Sequence, residues 1–141
     1  MLQTGIKGTI ELTVTKDKCA GALGSGELDV FATPAMIALM EETAWKSVVP
    51  YLDPGQGTVG TALDIRHLSA TPVGLRVRCE TELTEVDRRR LVFRVRVYDP
   101  FGLVGEGTHE RFVIQYEKFM KKTDEKRGAV GEPAALSAAN L

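Results

Sequence analysis

Cysteine and histidine are both scarce, two of each in a chain of 141 residues. Cys19 and Cys79 stand far apart and in no CxxC pair, which speaks against a metal knuckle and against a dithiol redox centre. One disulfide between them is formally open, but a reducing compartment would disfavour it. Histidines paired at metal-ligand spacing are missing, as are a glycine-rich phosphate loop and any internal repeat. Charge of one sign is missing too. Lys plus Arg is 18 and Asp plus Glu is 19, a formal net charge of -1, so no overall field recruits nucleic acid or an anionic membrane. A local basic patch is still compatible with that balance. No apolar run approaches the length of a membrane span, and the start "MLQTGIKGTIEL" lacks the charged region and apolar core of a signal peptide. The expected location is the cytoplasm, with neither membrane nor nucleic acid as partner. Any chemistry must then come from isolated side chains in one domain, because this length suits a single core and not two.

What is present is periodicity. "TIELTVT", residues 9 to 15, alternates Ile10, Leu12 and Val14 against Thr9, Glu11 and Thr13, the period of a strand with one wet face. The glycine-rich stretch from Gly21 to Asp29 reads as a loop or short irregular segment. A helix follows, with Thr33 as its cap, Pro34 as its first residue and Pro50 near its end. Met36, Ile37, Met40, Ala44 and Val48 make its apolar face, Glu42 and Lys46 point away, and Glu41 sits at the edge of that face. Val59, Thr61, Leu63, Ile65 and His67 are expected on one side of the next strand. Leu75, Val77, Cys79 and Leu83, then Leu91, Phe93, Val95 and Val97, oppose arginines and glutamates in two more strands. A last strand runs from about Leu103 to Tyr116, its parity blurred by Gly105 and Gly107.

These elements predict an α+β domain, an antiparallel sheet wrapped around one central helix, with the strands after the helix forming a meander. The domain is expected to cover residues 1–120. A charged and small-residue tail, a frayed helix or disorder, is expected over 121–141. A single amphipathic helix on such a sheet leaves the sheet edges bare, and pairing of edges predicts a homodimer or a dimer of dimers.

Three residues are candidates for chemistry. His67 is expected on the helix side of its strand, where it is either a satisfied core histidine or a group that moves a proton near neutral pH. Glu41 is either a helix-edge glutamate reaching water or a carboxylate that meets His67 across the helix–sheet boundary. Thr33 is either an N-cap or a hydrogen-bonding group at a reacting carbonyl. On a regular helix it would lie about 12 Å from Glu41. Arg76, Arg78, Arg94 and Arg96 are either a wet sheet face or a seat for anionic phosphates.

The stretch from "VFATPAMIALMEETAWKSVVPYLDPGQGTVG" through "TALDIRHLSATPVG" to "EGTHERFVI" closely resembles the hotdog-fold thioesterase family typified by fluoroacetyl-CoA thioesterase. The resemblance runs from roughly Leu12 to Lys121. It implies a hotdog fold, a homodimer with CoA esters at the subunit interface, and hydrolysis of a small or medium acyl-CoA. It implies no cofactor beyond the coenzyme A of the substrate and no metal. The family's catalytic threonine, glutamate and histidine fall on Thr33, Glu41 and His67, its backbone contact near the acyl group on Gly60, and its "GTHER" arginine on Arg111. Its lid phenylalanines before the helix fall on Gly24 and Glu27, a departure that bears on acyl selectivity. Two other functions share these features: a noncatalytic acyl-CoA-binding or regulatory dimer, and a CoA-ester hydratase or dehydratase. The threonine argues against the second.

Overall fold

The computed structural model describes residues 1–130, and the expected small-residue end of the tail, 131–141, lies outside the described residues. Its strands are β1 (Lys7–Thr13), β2 (Gln56–His67), β3 (Arg76–Asp87), β4 (Arg90–Asp99) and β5 (Gly102–Gln115). The helices are α1 (Ala20–Leu23), α2 (Thr33–Val48) and α3 (Tyr116–Val130). All strand pairs are antiparallel and the sheet order is β1-β3-β4-β5-β2. Only β3, β4 and β5 form a meander. The expected meander starting at β2 is therefore corrected: the segment 68–75 carries the chain from one edge of the sheet back across it. That segment is tied down on the way, by Leu68 N–H to the Val104 carbonyl and by Phe31 N–H to the Thr71 carbonyl.

The sheet wraps α2 for the reason its sequence implies. Met36, Met40, Ala44 and Val48 recur one turn apart and are fully buried, with Leu39 and Thr43 widening the stripe. Ile37, expected in that stripe, is only half-buried at its margin. Thr43 enters the core by donating its hydroxyl to the Leu39 carbonyl at 2.7 Å, so its own buried donor is satisfied. Opposite the helix, Val77, Cys79 and Leu83 of β3 and Leu91, Phe93, Val95 and Val97 of β4 are completely enclosed. The other face of these strands is charged and paired, mostly across strands. Arg76 meets Glu11 at 2.8 Å, Arg78 meets Glu80 at 2.8 Å, Arg94 meets Glu82 at 3.0 Å and Arg96 meets Glu106 at 3.6 Å. Each of the four arginines is already matched by a carboxylate, which favours a wet sheet face over a phosphate seat. Exposed pairs of this kind add little stability and mainly keep an outer face soluble.

Two departures from simple alternation position the site. In β2 the register passes from Gly60 opposite Arg111 to Ala62 opposite Glu110, so Thr61 is an extra residue in the ladder. A bulge flips side-chain parity. Thr58 and Gly60 before it share the inner face with Leu63, Ile65 and His67 after it, and the expected place of Val59 and Thr61 on that face is corrected. In β5, Gly105, Gly107, His109, Arg111 and Val113 form the inward row, the first two without side chains because nothing fits there. A Cβ on Gly105 would lie 2.5 Å from the Met36 sulfur, and one on Gly107 would lie 1.9 Å from the Asp64 carbonyl oxygen. After β5 the chain becomes α3, which crosses residue 120 without a break and buries none of its residues. No helix among the described residues is long and apolar enough to cross a membrane.

The Gly107 contact is with backbone, so it cannot be relieved by a rotamer change. Gly107→Ala is expected to lower the stability of the fold by about 2–3 kcal/mol, as overpacking of a closed site does. Urea unfolding followed by circular dichroism measures it, and an unchanged midpoint would contradict the proposed close approach of β2 and β5.

Candidate active site

Thr33 is the first residue of α2, and Ala32 occupies the cap position without any side-chain capping bond. The expected N-cap role of Thr33 is thereby corrected, along with the placing of Pro34 as first helical residue. The threonine hydroxyl is engaged elsewhere: its Oγ1 lies 2.7 Å from His67 Nδ1. This contact exists because α2 begins where β2 ends. His67 is the last residue of β2, opposite Gly105, whose missing side chain lets α2 approach through Met36. Burial pushes the imidazole below the ordinary histidine range, with the nearby Ser69 backbone as the opposing influence. Its Nε2 is buried and has no hydrogen-bond partner among the described residues. A cavity of about 330 Å³ opens beside the pair, walled by Phe31, Thr33, His67, Leu68 and Ser69. Such a pair can relay a proton: with Nδ1 bare, Thr33 donates to it and its oxygen becomes a better acceptor for a proton arriving from a ligand.

Glu41 stands two turns further along α2 and has different neighbours. Its Oε2 lies 3.4 Å from Arg111 Nη1 and 4.0 Å from His109 Nε2. The Glu41 side chain is 40% exposed, while Arg111 is 7% and His109 0% exposed, so the carboxylate reaches outward from a closed floor. Gly60 completes that floor. A Cβ there would sit 2.8 Å from Glu41 Oε2, 3.1 Å from His109 Cε1 and 3.2 Å from Arg111 Nη1. Any side chain at residue 60 would therefore displace the carboxylate.

Arg111 is buried, and each of its three nitrogens is engaged. Nε donates to Thr58 Oγ1 at 2.8 Å, Nη2 to the Thr58 carbonyl at 3.0 Å, and Nη1 is shared between His109 Nε2 at 3.1 Å and Glu41. Thr58 is available for this because the bulge at Thr61 restores it to the inner face. A guanidinium held at so many points is an orienting group for a carboxylate, with little donor capacity left for anything larger.

The structure thus brings Thr33 to His67, and Glu41 to Gly60 and Arg111, but it does not bring Glu41 to His67 within one chain. The helical rise between Thr33 and Glu41 keeps the two groups about 12 Å apart. His109 was not among the residues singled out from sequence. The signal for it is its spacing of two from Arg111, which on a strand means one shared face. Gly24 and Glu27 lie in the segment before α2. Gly24 ends α1 in the left-handed conformation at φ 69° with open space where a side chain would be, and Glu27 is exposed. Among the described residues, no group of three or more His, Cys, Asp or Glu side chains could hold a metal ion.

Both histidines are held below their ordinary range, chiefly by burial. As pH falls through about 6.5 the unfolded chain takes up protons that the folded one resists, so stability present above that pH is lost as pH drops toward the lowered folded values. Urea midpoints are expected to be lower at about pH 5.5 than at about pH 7.5. Replacing His109 by Phe should flatten that dependence, and an equally steep dependence in the variant would assign it to other groups.

Comparison with known proteins adds independent observations. Residues 14–117 match the family described as FlK, fluoroacetyl-CoA-specific thioesterase. The fluoroacetyl-CoA thioesterase of Streptantibioticus cattleyicolor is 46% identical over 101 residues, covering 72% of this chain and 73% of that protein. A solved structure of the fluoroacetyl-CoA thioesterase FlK superimposes with a TM-score of 0.84 at 39% identity, over 89% of this chain and 98% of the other. A hot-dog-like protein from Thermanaerovibrio acidaminovorans superimposes with a TM-score of 0.80 at 21% identity, over 87% of this chain and 91% of its own, a likeness of fold alone. The antiparallel sheet around one helix is thus the hotdog fold that the sequence resemblance implies.

Proposed function

Because this chain belongs to the FlK family of thioesterases, we propose that it hydrolyses a small or medium acyl-CoA thioester to the free acid and CoA, with Glu41, His67 and Thr33 as the catalytic groups. The observation that carries this reading is the Thr33–His67 contact at 2.7 Å, made by a threonine that the helix does not need as a cap. A thioester needs attack at its carbonyl carbon and support for the developing oxyanion. It needs little help for the leaving thiolate. Glu41 supplies the attack, either by taking a proton from water or by bonding to the carbonyl carbon as a mixed anhydride that water then opens. Both routes consume one water and give the same products; label in the Glu41 carboxyl group after a single turnover in ¹⁸O-water identifies an anhydride opened at the glutamyl carbonyl. With the imidazole proton on Nδ1, His67 donates to Thr33 Oγ1 and leaves the threonine hydroxyl to donate to the acyl oxygen, the reverse tautomer serving the proton relay. Gly60 contributes its backbone amide and the space beside Glu41, and Arg111 steadies the carboxylate.

The separation of Glu41 from His67 supports a site shared between two copies. β2 is a sheet edge, and its Leu63 and the following Leu68 are 43% and 53% exposed. Two β2 edges paired antiparallel about a two-fold axis near residues 63 and 64 place His67 of one copy across from Gly60 of the other. The Thr33–His67 pair of one protomer then faces the Glu41 floor of its partner. Such a homodimer also closes the bare edge. Residence in the cytoplasm accords with Cys19 and Cys79 being buried free thiols.

Mixing His67→Ala protomers with Glu41→Gln protomers tests the shared site. Each alone is expected to fold and to lose at least about 10²-fold in thiol release, the usual scale of a positioned acid or base. A mixed dimer regains one intact site and is expected to recover activity toward half the wild-type value per dimer. No recovery would place the whole site within one chain, and wild-type turnover in folded His67→Ala would remove that residue from the mechanism. A noncatalytic binding dimer would retain acyl-CoA binding and release no thiol even as wild type.

Acyl selectivity is expected to be loose. Gly24 and Glu27 put no aromatic surface over the cavity beside His67, so fluoroacetyl-CoA and acetyl-CoA should differ in kcat/KM by less than about a hundredfold, roughly 3 kcal/mol. A larger ratio in a free-thiol assay would require a recognition device other than an aromatic lid.

A further inference from the structure

His109 is completely enclosed, and both of its ring nitrogens have partners of fixed character. Nδ1 lies 2.9 Å from the Ala62 carbonyl oxygen, which can only accept. Nε2 lies 3.1 Å from Arg111 Nη1, which can only donate. Both bonds can be made at once in one state alone, the neutral imidazole with its proton on Nδ1. The Ala62 carbonyl comes from the bulge, since Ala62 is the first residue back in register after Thr61. Protonation of Nε2 would set an N–H against the guanidinium. Burial first, and Arg111 with it, hold the ring neutral, against the opposing pull of the Ala62 hydrogen bond and of Glu41 and Glu110.

The Nη1 group of Arg111 stands between two acceptors, the imidazole at 3.1 Å and the Glu41 carboxylate at 3.4 Å. An unshared guanidinium–carboxylate contact normally closes to about 2.7–2.9 Å. We propose that His109 is a positioning residue: as a neutral acceptor it draws Arg111 Nη1 away from Glu41, so that the carboxylate is oriented by the arginine without being locked to it. The proposal rests on the thioesterase reading, in which Glu41 must move freely against an acyl carbonyl. Removal of the acceptor leaves Glu41 as the only partner of Nη1. The ion pair then tightens, and the carboxylate is withdrawn toward the floor of the site.

His109→Phe keeps a ring of comparable size beside Phe93 and removes both polar atoms, whereas His109→Gln can return a carbonyl oxygen toward Arg111. Crystal structures of both variants, steady-state thiol release, and ¹⁵N spectra of the wild-type ring are the measurements. In His109→Phe the Arg111 Nη1 to Glu41 Oε2 distance is expected to contract to about 2.8 Å. Its kcat is expected to fall about tenfold or more, with KM for the acyl-CoA little changed, as misplacement of a reacting group does. His109→Gln should restore most of both. The wild-type ring should show a pyrrole-like Nδ1 and a pyridine-like Nε2 at neutral pH. An uncontracted ion pair with wild-type kcat in folded His109→Phe, a His109→Gln variant as impaired as His109→Phe, or a protonated Nε2 in the wild type would each overturn the proposal. If His109→Phe does not fold, the ring spectrum and His109→Gln still decide. Should the wild type release no thiol from any acyl-CoA, the thioesterase reading fails by itself, and the Arg111–Glu41 distance in the variants continues to test the positioning role.

Discussion

Burial of one stripe of α2 against the inner face of the sheet is the constraint on which the other features depend. A helix of 16 residues supplies the facing surface for the curved sheet, so its axis and rotation are set by Met36, Leu39, Met40, Ala44 and Val48 against β3 and β4. With the rotation set, Thr33 and Glu41 have no choice of direction. Both emerge at the margin of the buried stripe, on the side of β5 and β2. The inward row of β5 answers this with glycines near one end of the helix and a polar pair near the other. Gly105 admits Met36 and brings Thr33 against His67, whereas His109 and Arg111 meet Glu41.

The Arg111 cluster shows how a cation can be tolerated in such a place. Burial disfavours its charge and pushes the guanidinium below its ordinary range, against which the Glu41 carboxylate is the main opposing influence. Thr58 contributes a hydroxyl and a carbonyl, and His109 contributes a neutral nitrogen. Only one of these partners carries a charge, so the arginine is satisfied without its carboxylate being fully neutralised. That division separates an orienting contact from a structural ion pair. It depends on the Thr61 bulge, which returns Thr58 to the inner face and aims the Ala62 carbonyl at the imidazole.

The outer face carries the opposite arrangement. Arginines and glutamates of β1, β3, β4 and β5 alternate and pair there, mostly across strands, so Arg76, Arg78, Arg94 and Arg96 each face a carboxylate.

Much of this could be read from the residues alone, and the division follows range. The alternation of β3 and β4, the apolar stripe of α2 and the separation of Glu41 from the helix's solvent side depend on neighbours within a few residues, so periodicity determined them. Resemblance to a family added Thr33, Glu41, His67, Gly60 and Arg111 as one set, but not which of them touch. Those contacts were decided by tertiary structure. The sheet order that sends β2 to the far edge depends on pairing across the whole chain. The bulge at Thr61 is a property of the β2–β5 register, which depends on residues about fifty positions apart in the chain. The partners of Arg111 follow from that register shift. His109, silent beside its neighbours in sequence, meets Arg111 and Glu41 only when β5 and β2 are paired and the helix closes over both.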